Sequence, residues 1–397
     1  MALSDNPDKA TMNKPCTAPA AAITVVVPTH NRAEYLGESL ASLLSQSLPL
    51  RRIVVVDDGS TDETRSVVER FGARVEYVHL TNGGKARALN QLLPTVDTEF
   101  VWFFDDDDVA HPDAAEQLAI AALRLPAATF VFGDHELVWA RGCIDQATRV
   151  VPRPYAYVDE PLGMQRLRLF RECTVMMTGS LLRTAAVRAV GGLNEALLRC
   201  QDYDLMLRLA VHGPFGHVPC SVYRWRQHDG HRGTGAAAHG NDDRVAAWAK
   251  YNEPIGLFLR DKTPTSSFDP QLASAHAKPA SGRVSALARA WAIAPKLPLK
   301  HGVELLAAAI ALDPASPLTP FEREMTREAF NHAFVALRPS GALWALAGLV
   351  RSAAGRAALR EVGRGLYWLS AVQSSFLDRL RWRSLAFGLA ALSWARA

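Results

Sequence analysis

The sequence lacks several features that would place it in a particular class at once. Its five cysteines among 397 residues are widely spread and never form a CxxC pair, so neither a disulfide scaffold nor a zinc site is indicated. The longest uncharged apolar stretch, residues 339–350, is too short to span a bilayer, which requires about 20 residues. With 49% hydrophobic and 21% charged residues, a disordered chain is excluded. These features predict a globular protein of the reducing cytoplasm.

Two glycine-rich nucleotide-binding motifs are also missing. The segment after the first predicted strand, PTHNR at 28–32, contains no glycine, whereas a dinucleotide-dependent oxidoreductase needs GxGxxG at this point. Gly84-Lys85 is followed by Ala86, and His79 stands where a P-loop has its first glycine. A P-loop kinase is therefore excluded as well.

Charge is distributed unevenly along the chain. The net charge is +4, but residues 281–397 alone carry 15 basic and 7 acidic side chains, so the part before them has a net charge of −4. Composition and charge together predict four segments. They are a disordered leader at 1–22, an α/β domain at 23–230, a linker region at 231–280 and a basic helical extension at 281–397.

Between residues 23 and 226, short β-branched runs alternate with amphipathic helical stretches. The run ITVVV at 23–27 predicts a buried strand, and leucines at helical spacing follow it, with Asn31 as the expected helix N-cap. Further strands are predicted at 53–57, 74–80, 100–104, 129–132 and 217–225, and helices near 62–72, 112–123, 184–190 and 202–212. Loops are expected around 134–169 and, on either side of the helix near 184–190, around 178–194. This alternation predicts an α/β sheet with crossover helices, followed by an all-α extension.

Polar residues follow three of the predicted strands. PTHNR at 28–32 follows the first, DDGS at 57–60 ends the second, and four consecutive aspartates at 105–108 follow the fourth. Ligands of open α/β sheets bind at the carboxyl ends of the strands. Burying the base of a four-carboxylate cluster is costly unless a cation neutralises it, and Mg²⁺ or Mn²⁺ accepts carboxylate oxygens together with nucleotide phosphates. A plain turn at 57–60 and a solvated acidic turn at 105–108 are the alternatives.

Six segments in a fixed order resemble the inverting glycosyltransferases of family 2. They are VPTHNR at 27–32, VDDGSTD at 56–62, NGGKARALN at 82–90, FDDDD at 104–108, GGLNE at 191–195 and QDYDL at 201–205. The similarity covers roughly half of the chain and leaves out the basic tail. It implies that 23–230 is a GT-A catalytic domain, a Rossmann-like mixed sheet with flanking helices that binds a nucleotide-diphospho-sugar, most simply a UDP-sugar.

The resemblance also implies roles for individual residues around the donor. The matching positions are Pro28, Thr29 and Arg32 around the nucleoside, Asp58 on the base with Asp57 supporting it, and Lys85 facing the phosphates. A lysine on a helix surface is the alternative for the last of these.

The FDDDD segment matches the DxD motif of the family. The resemblance places Asp105 toward the ribose and Asp107 on a divalent cation, Mn²⁺ or Mg²⁺, with Asp106 between them. Which member of the run holds the ion stays open, with Asp106 and Asp108 as alternatives. His228 resembles a histidine that completes the metal shell in some relatives, and a surface-loop histidine is its alternative.

Asp202 matches the acidic residue of the family's Glu-Asp motif, the general base, although Gln201 stands in place of the Glu. A helix N-cap is the alternative role for Asp202, and both roles are compatible. Asp204 is a second candidate, but a shift of two residues on a helix turns the side chain by roughly 200°. In the implied reaction Asp202 accepts the proton of the acceptor hydroxyl, and one displacement inverts the anomeric centre.

The implied function is transfer of a sugar to a glycan or lipid-linked acceptor in cell-envelope polysaccharide or glycolipid biosynthesis, without a nucleic-acid partner. The alternatives are a catalytically weak nucleotide-binding scaffold and transfer to polyprenyl phosphate. Between 351 and 383, arginines recur at near-helical intervals among aromatic and aliphatic residues, a pattern that suits an anionic membrane surface. The alternative is a packed helical domain with its arginines in solvent. We expect a cytoplasmic protein, and peripheral contact with the inner face of the membrane is left open.

Overall fold

The computed structural model describes residues 22–140, 142–227, 244–271, 282–330 and 349–372, with a few positions between 383 and 393. Residues 1–21 of the predicted leader, parts of the predicted linker region and His228 lie outside these residues. The described chain groups into two compact units. The first holds 22–155, 177–192 and 215–227, and the second holds 156–176, 193–214 and the described residues from 244 onward.

The first unit is built on one mixed sheet, to which the described residues contribute nine strands. These are β1 (Ile23–Thr29), β2 (Arg52–Asp57), β3 (Glu76–His79), β4 (Phe100–Phe103), β5 (Val109–Ala110), β6 (Phe130–Trp139), β7 (Arg149–Arg153), β8 (Ser180–Arg183) and β9 (Phe215–Gln227). The strand order is β3-β2-β1-β4-β8-β6-β9-β5, and β7 pairs with β6. The strands β3, β2, β1 and β4 run parallel to one another, whereas β8 is antiparallel to both β4 and β6. Since the order reverses at β1, the carboxyl ends of β2, β1 and β4 lie side by side at a topological switch point.

The central strands are buried on both faces, which explains their nearly continuous apolar sequences. Every residue of β1 and β4 is buried, and so is all of β2 after its first residue. β-branched side chains suit such a doubly covered parallel sheet. The register pairs Thr29 with Asp57 and Val26 with Phe103. The polar segments that follow these strands therefore begin at the same edge of the sheet.

Twelve helices are present in the described residues. They are α1 (Ala33–Leu44), α2 (Thr64–Glu69), α3 (Lys85–Leu92), α4 (Ala114–Arg124), α5 (Leu162–Arg171), α6 (Thr184–Ala189), α7 (Gln201–His212), α8 (Arg244–Asp261), α9 (Gly282–Ile293), α10 (Leu299–Ala311), α11 (Pro320–Glu328) and α12 (Ala353–Val372). The first four and α6 belong to the sheet-containing unit, and the others form the second unit, which is helical. Both the mixed sheet with flanking helices and the all-α C-terminal extension are thus as predicted.

Two local predictions are wrong. The N-cap of α1 is Arg32 rather than Asn31. Asn31 has a φ of 53°, and its side chain accepts a hydrogen bond from the N–H of Thr61 at 2.7 Å rather than from the first turn of α1. The segment 134–169 is not mainly loop, since it contains the second half of β6, all of β7 and most of α5. β7 is exposed along most of its length, so the sequence carries no alternation of buried and exposed positions that would reveal it.

Candidate functional site

The carboxyl ends of β1, β2 and β4 bring together the three polar segments predicted from sequence. The N–H of Asp58 donates to the carbonyl of Thr29 at 2.9 Å, and the N–H of Phe104 donates to Val26 at 3.1 Å. The imidazole Nδ1 of His30 lies 2.8 Å from the carbonyl oxygen of Asp58. Backbone hydrogen bonds therefore fix these segments against one another at one edge of the first unit.

Asp57 holds the turn that follows β2. It is buried, and its carboxylate accepts the N–H of Ser60 at 2.8 Å and the hydroxyl of Tyr77 at 2.5 Å. Burial raises the pKa of Asp57, but these hydrogen bonds outweigh it, so the pKa lies below its ordinary value. These contacts fix the turn after β2, and the supporting role expected for Asp57 in holding a base stays a prediction.

Asp58 binds the backbone of a neighbouring turn. Its two carboxylate oxygens accept the N–H groups of Gly83 and Gly84, each at 2.8 Å. Gly84 has a φ of 94°, a left-handed conformation that favours glycine. The turn leads directly into α3, whose first residue is Lys85. Each carboxylate oxygen has a second lone pair, so Asp58 can still accept a hydrogen bond from a base.

Asp105 is surrounded by donors. The ammonium of Lys85 forms an ion pair with it, and the hydroxyl of Thr178 donates to it at 2.8 Å. Thr178 lies 73 positions away in sequence, in the segment before β8. Sequence reasoning missed Thr178 because no motif marks it.

Arg32 is the counter-ion of the middle of the aspartate run. Its guanidinium forms an ion pair with Asp107 and lies 4.0 Å from Asp106. Burial and the charge of Asp107 raise the pKa of Asp106 to about 7. Burial lowers the pKa of Arg32, but the neighbouring carboxylates more than offset this, so the guanidinium stays charged.

Asp108 has a structural partner in β9. It is 2% exposed, and its carboxylate accepts the N–H of Arg226 at 3.0 Å. Burial and the charge of Asp107 raise its pKa well above the ordinary value. The guanidinium of Arg226 donates to the carbonyl of Asp107 at 2.9 Å and pairs with Glu38. Arg226, which sequence reasoning also missed, thus ties the end of β9 to the aspartate run.

The four aspartates differ in what they offer to a cation. Asp106 and Asp108 are buried, whereas the side chains of Asp105 and Asp107 are 35% and 18% exposed. Within the part of the chain that the structure describes, no group of three or more His, Cys, Asp or Glu side chains is arranged to hold a metal ion. Carboxylate oxygens such as those of Asp105 and Asp107 are the type of ligand that Mg²⁺ and Mn²⁺ accept. His228, the other predicted ligand, lies outside the described residues.

Asp202 lies in the second unit, in the first turn of α7. The N-cap of this helix is Cys200, so Asp202 does not occupy the capping position. Its carboxylate accepts the N–H of Tyr203 at 2.8 Å. The alternative base, Asp204, is 4% exposed and accepts hydrogen bonds from the guanidinium of Arg208 at 2.6 and 2.8 Å. Of the two carboxylates, Asp202 is the one that has no ion-pair partner among the described residues.

The basic tail buries its apolar face. Leu359, Val362 and Leu366 on α12 are fully buried. Glu361 forms ion pairs with Arg327 and Arg364, at 2.8 and 2.7 Å. These contacts show that α12 buries apolar side chains, whereas Arg351 and Arg364 are exposed and Arg356 and Arg360 are half-buried. Over the described residues, none of the helices combines the length and the apolar character needed to cross a membrane.

Residues 24–139 match the family model described as glycosyl transferase family 2. An uncharacterized glycosyltransferase of Rickettsia felis is 26% identical over 242 residues, which are 60% of this chain but only 39% of that protein. The poly(ribitol-phosphate) beta-N-acetylglucosaminyltransferase TarS of Staphylococcus aureus is 35% identical over 102 residues, 24% of this chain and 18% of TarS. The chain thus spans well under half the length of these relatives.

Among solved structures, residues 1–349 of S. aureus TarS in complex with UDP-GlcNAc superpose with a TM-score of 0.50. The superposition covers 93% of this chain and 89% of that one at 18% sequence identity, so the likeness concerns the fold. The predicted GT-A fold is thereby confirmed. The strand ends that carry Asp58 and the aspartate run fall inside residues 24–139, the segment that matches the model of glycosyl transferase family 2.

Proposed function

We propose that the protein is a metal-dependent, inverting glycosyltransferase that takes its sugar from a UDP-sugar and transfers it to a hydroxyl group. The observation that carries this proposal is the aspartate run after β4, neutralised by Arg32 and Lys85. Such a cluster offers a carboxylate to a divalent cation and two cationic side chains to a diphosphate. Both are needed where negative charge grows on a leaving diphosphate.

Each donor contact has a supporting feature in the first unit. We assign the base to Asp58, which keeps a free lone pair on each oxygen, and the ribose to Asp105. Lys85 follows the glycine turn that Asp58 holds, so nucleoside and phosphate contacts are mechanically linked. A divalent cation at Asp107 would supply charge compensation for the leaving group. We propose that His228 completes its ligands and that 23–230 forms the catalytic domain.

We propose Asp202 as the general base. The geometry of α7 holds its carboxylate at the first turn through the N–H of Tyr203, while Asp204 is engaged by Arg208. Asp202 would accept the proton of the acceptor hydroxyl during attack on the anomeric carbon. A single displacement of this kind inverts the configuration and needs no covalent intermediate.

The names of the relatives support a glycan as the acceptor. TarS is a poly(ribitol-phosphate) beta-N-acetylglucosaminyltransferase, and another relative, 26% identical over 202 residues, is the chondroitin synthase of Pasteurella multocida. We propose a glycan or lipid-linked saccharide of the cell envelope as the acceptor, reached on the cytoplasmic side of the membrane. Transfer to polyprenyl phosphate and a catalytically weak scaffold are the alternatives that the following experiments separate.

Calorimetric titration with UDP and GDP tests the donor site. We expect UDP to bind in the presence of Mn²⁺, and its affinity to fall at least tenfold with excess chelator or in Asp107→Ala. Asp97→Ala, which removes an exposed aspartate of the same unit, is the matched control and should bind like the wild type. Binding of neither nucleotide under any condition would contradict the proposed function.

Release of UDP from UDP-N-acetylglucosamine and from a panel of other UDP-sugars tests the chemistry. Asp202→Asn should retain UDP affinity and lose at least a hundredfold in rate, because the amide cannot accept the proton. NMR of the transferred sugar should show the inverted anomeric configuration. Tight UDP binding without turnover of any donor would favour the catalytically weak scaffold. Turnover only when polyprenyl phosphate is present would favour sugar transfer to polyprenyl phosphate.

A further inference from the structure

The C-terminal end of α5 is closed by two side chains from distant parts of the second unit. The last carbonyl groups of a helix have no partner within it. The hydroxyl of Tyr203 donates to the carbonyls of Leu169 and Phe170, at 2.8 and 3.2 Å. The ammonium of Lys296 donates to the carbonyl of Arg171 at 2.6 Å. Three carbonyls in a row are thus satisfied by one residue of α7 and one residue that follows α9.

Lys296 and Tyr203 also touch each other. The Lys296 ammonium lies 4.9 Å from the centre of the Tyr203 ring, in cation–π contact. The backbone N–H of Tyr203 donates to the carboxylate of Asp202 at 2.8 Å. A continuous series of contacts therefore leads from Lys296 through Tyr203 to the proposed general base.

The other end of this series is held by the C-terminal helices. The guanidinium of Arg171 donates to the carbonyls of Trp291 on α9 and Glu328 on α11. The indole N–H of Trp291 in turn donates to the carboxylate of Glu328 at 3.0 Å. Lys296 is therefore fixed by a network that belongs to the basic extension, a region to which the proposed chemistry assigns no role.

Two opposing effects act on the charge of Lys296. A cation at the C-terminal end of a helix interacts favourably with the helix dipole. Lys296 is 5% exposed, and burial together with the charge of Arg171 lowers its pKa to about 7. The titratable and charged groups around it are Arg171, Glu172, Cys173, Cys200 and Tyr203.

We propose that Lys296 is a positioning residue for Asp202, through which the C-terminal helices take part in the transfer reaction. The ammonium orients the ring of Tyr203 and closes α5, and the N–H of Tyr203 then sets the direction of the Asp202 carboxylate. This inference rests on the proposed function for the role of Asp202, whereas the contacts themselves do not depend on it.

Lys296→Met tests the proposal in the full-length protein, with Lys300→Met as the matched control. Lys300 is an exposed lysine of α10 whose nearest acidic partner is 3.7 Å away. In Lys296→Met we expect the rate of UDP release from UDP-N-acetylglucosamine to fall at least tenfold, with the affinity for UDP and Mn²⁺ within twofold of the wild type. Tyr203→Phe, which removes only the hydroxyl, should lower the rate by a smaller factor and covers the case in which Lys296→Met does not fold.

Amide hydrogen exchange gives a readout that does not need activity. Exchange should quicken several-fold at 201–205 in Lys296→Met and stay unchanged in β1 and β2. An unchanged rate and unchanged exchange would overturn the proposal, and so would a loss of rate matched by an equal loss of UDP affinity. If the wild type failed to bind UDP, the proposed function would fall, while exchange at 201–205 would still decide whether Lys296 holds α7.

Discussion

Four adjacent carboxylates are tolerated in the first unit because each has a different environment. Asp105 is bound by Lys85 and Thr178, and Asp107 by Arg32. Burial favours the protonated form of the remaining two, whose pKa values are raised. Similar residues in one run therefore have separate environments: Asp105 and Asp107 are half-buried beside cationic side chains, whereas Asp106 and Asp108 are buried.

The role of Asp108 can be tested by two substitutions. Asp108→Ala leaves the buried N–H of Arg226 without an acceptor, which should lower the free energy of unfolding by about 1–3 kcal/mol. Asp108→Asn keeps an acceptor oxygen and should cost less, with metal-dependent UDP binding retained. Urea unfolding and UDP titration of both variants measure this. Loss of UDP binding in a stable Asp108→Asn protein would instead make Asp108 the metal ligand.

The ion pair of Arg32 predicts a change in stability that depends on metal. Arg32→Ala removes the ion pair between Arg32 and Asp107, and we expect a loss of about 1–3 kcal/mol in unfolding free energy, since the pair is only partly exposed. Added Mn²⁺ should restore part of this loss if it binds the aspartate run. Arg65→Ala, which breaks an exposed pair with Glu69, is the control and should leave stability unchanged. Equal effects of the two substitutions would refute this account.

At the scale of elements, the glycine turn before α3 joins two parts of the proposed donor site. Asp58 on the β2 turn accepts both N–H groups of this turn, and the helix then begins with Lys85. Gly84 has a left-handed φ of 94°, which favours glycine. A Cβ at this position would meet no other atom within 4 Å, so lack of space is not the reason for a glycine here. The constraint at this position is thus conformational rather than steric.

Two glycine-to-alanine substitutions should have opposite effects. Gly84→Ala forces a side chain into the left-handed region and should cost about 1–2 kcal/mol, together with a several-fold loss of UDP affinity. Gly37→Ala lies within α1, where the new Cβ would be 3.6 Å from Val67, and should stabilise by about 0.5–1 kcal/mol. Thermal unfolding of both variants gives the comparison. A stabilised Gly84→Ala would show that the turn adopts another conformation in solution.

The sequence predicts the central elements because their signals are local. The β-branched runs of β1 and β2 and the aspartate run after β4 are each contained within a few residues. Asn31 misled the N-cap prediction because the acceptor that reaches the N–H of Ala33 comes from Asp62, 29 residues away. The contacts of Thr178 and Arg226 span 73 and 118 residues. Such pairings are set by the sheet order and cannot be derived from residue spacing.

At the scale of the whole molecule, the described chain divides into a sheet-containing unit with the polar strand-end motifs and a helical unit with Asp202. The composition change near 281 predicts the helical extension, but the boundaries predicted from sequence differ from those of the two units in the structure. Residues 156–176 and 193–214, which carry α5 and α7, group with the C-terminal helices. Helical packing around Lys296 explains this grouping, because α5 and α7 both contact that lysine.

Lys296 should also make the stability of the protein depend on pH. Its pKa is about 7 in the folded protein and about 10.4 in an unfolded chain, so unfolding between these values takes up a proton. Stability should therefore rise with pH above about 7, by up to about 1.4 kcal/mol per pH unit from this group. Lys296→Met cannot take up this proton. The difference in unfolding free energy between wild type and Lys296→Met, measured in urea from pH 7 to 8.5, should increase with pH. The corresponding difference for Lys300→Met should stay constant, which would exclude a general effect of removing a lysine. A Lys296→Met difference that also stays constant over this range would mean that Lys296 remains charged in the folded protein.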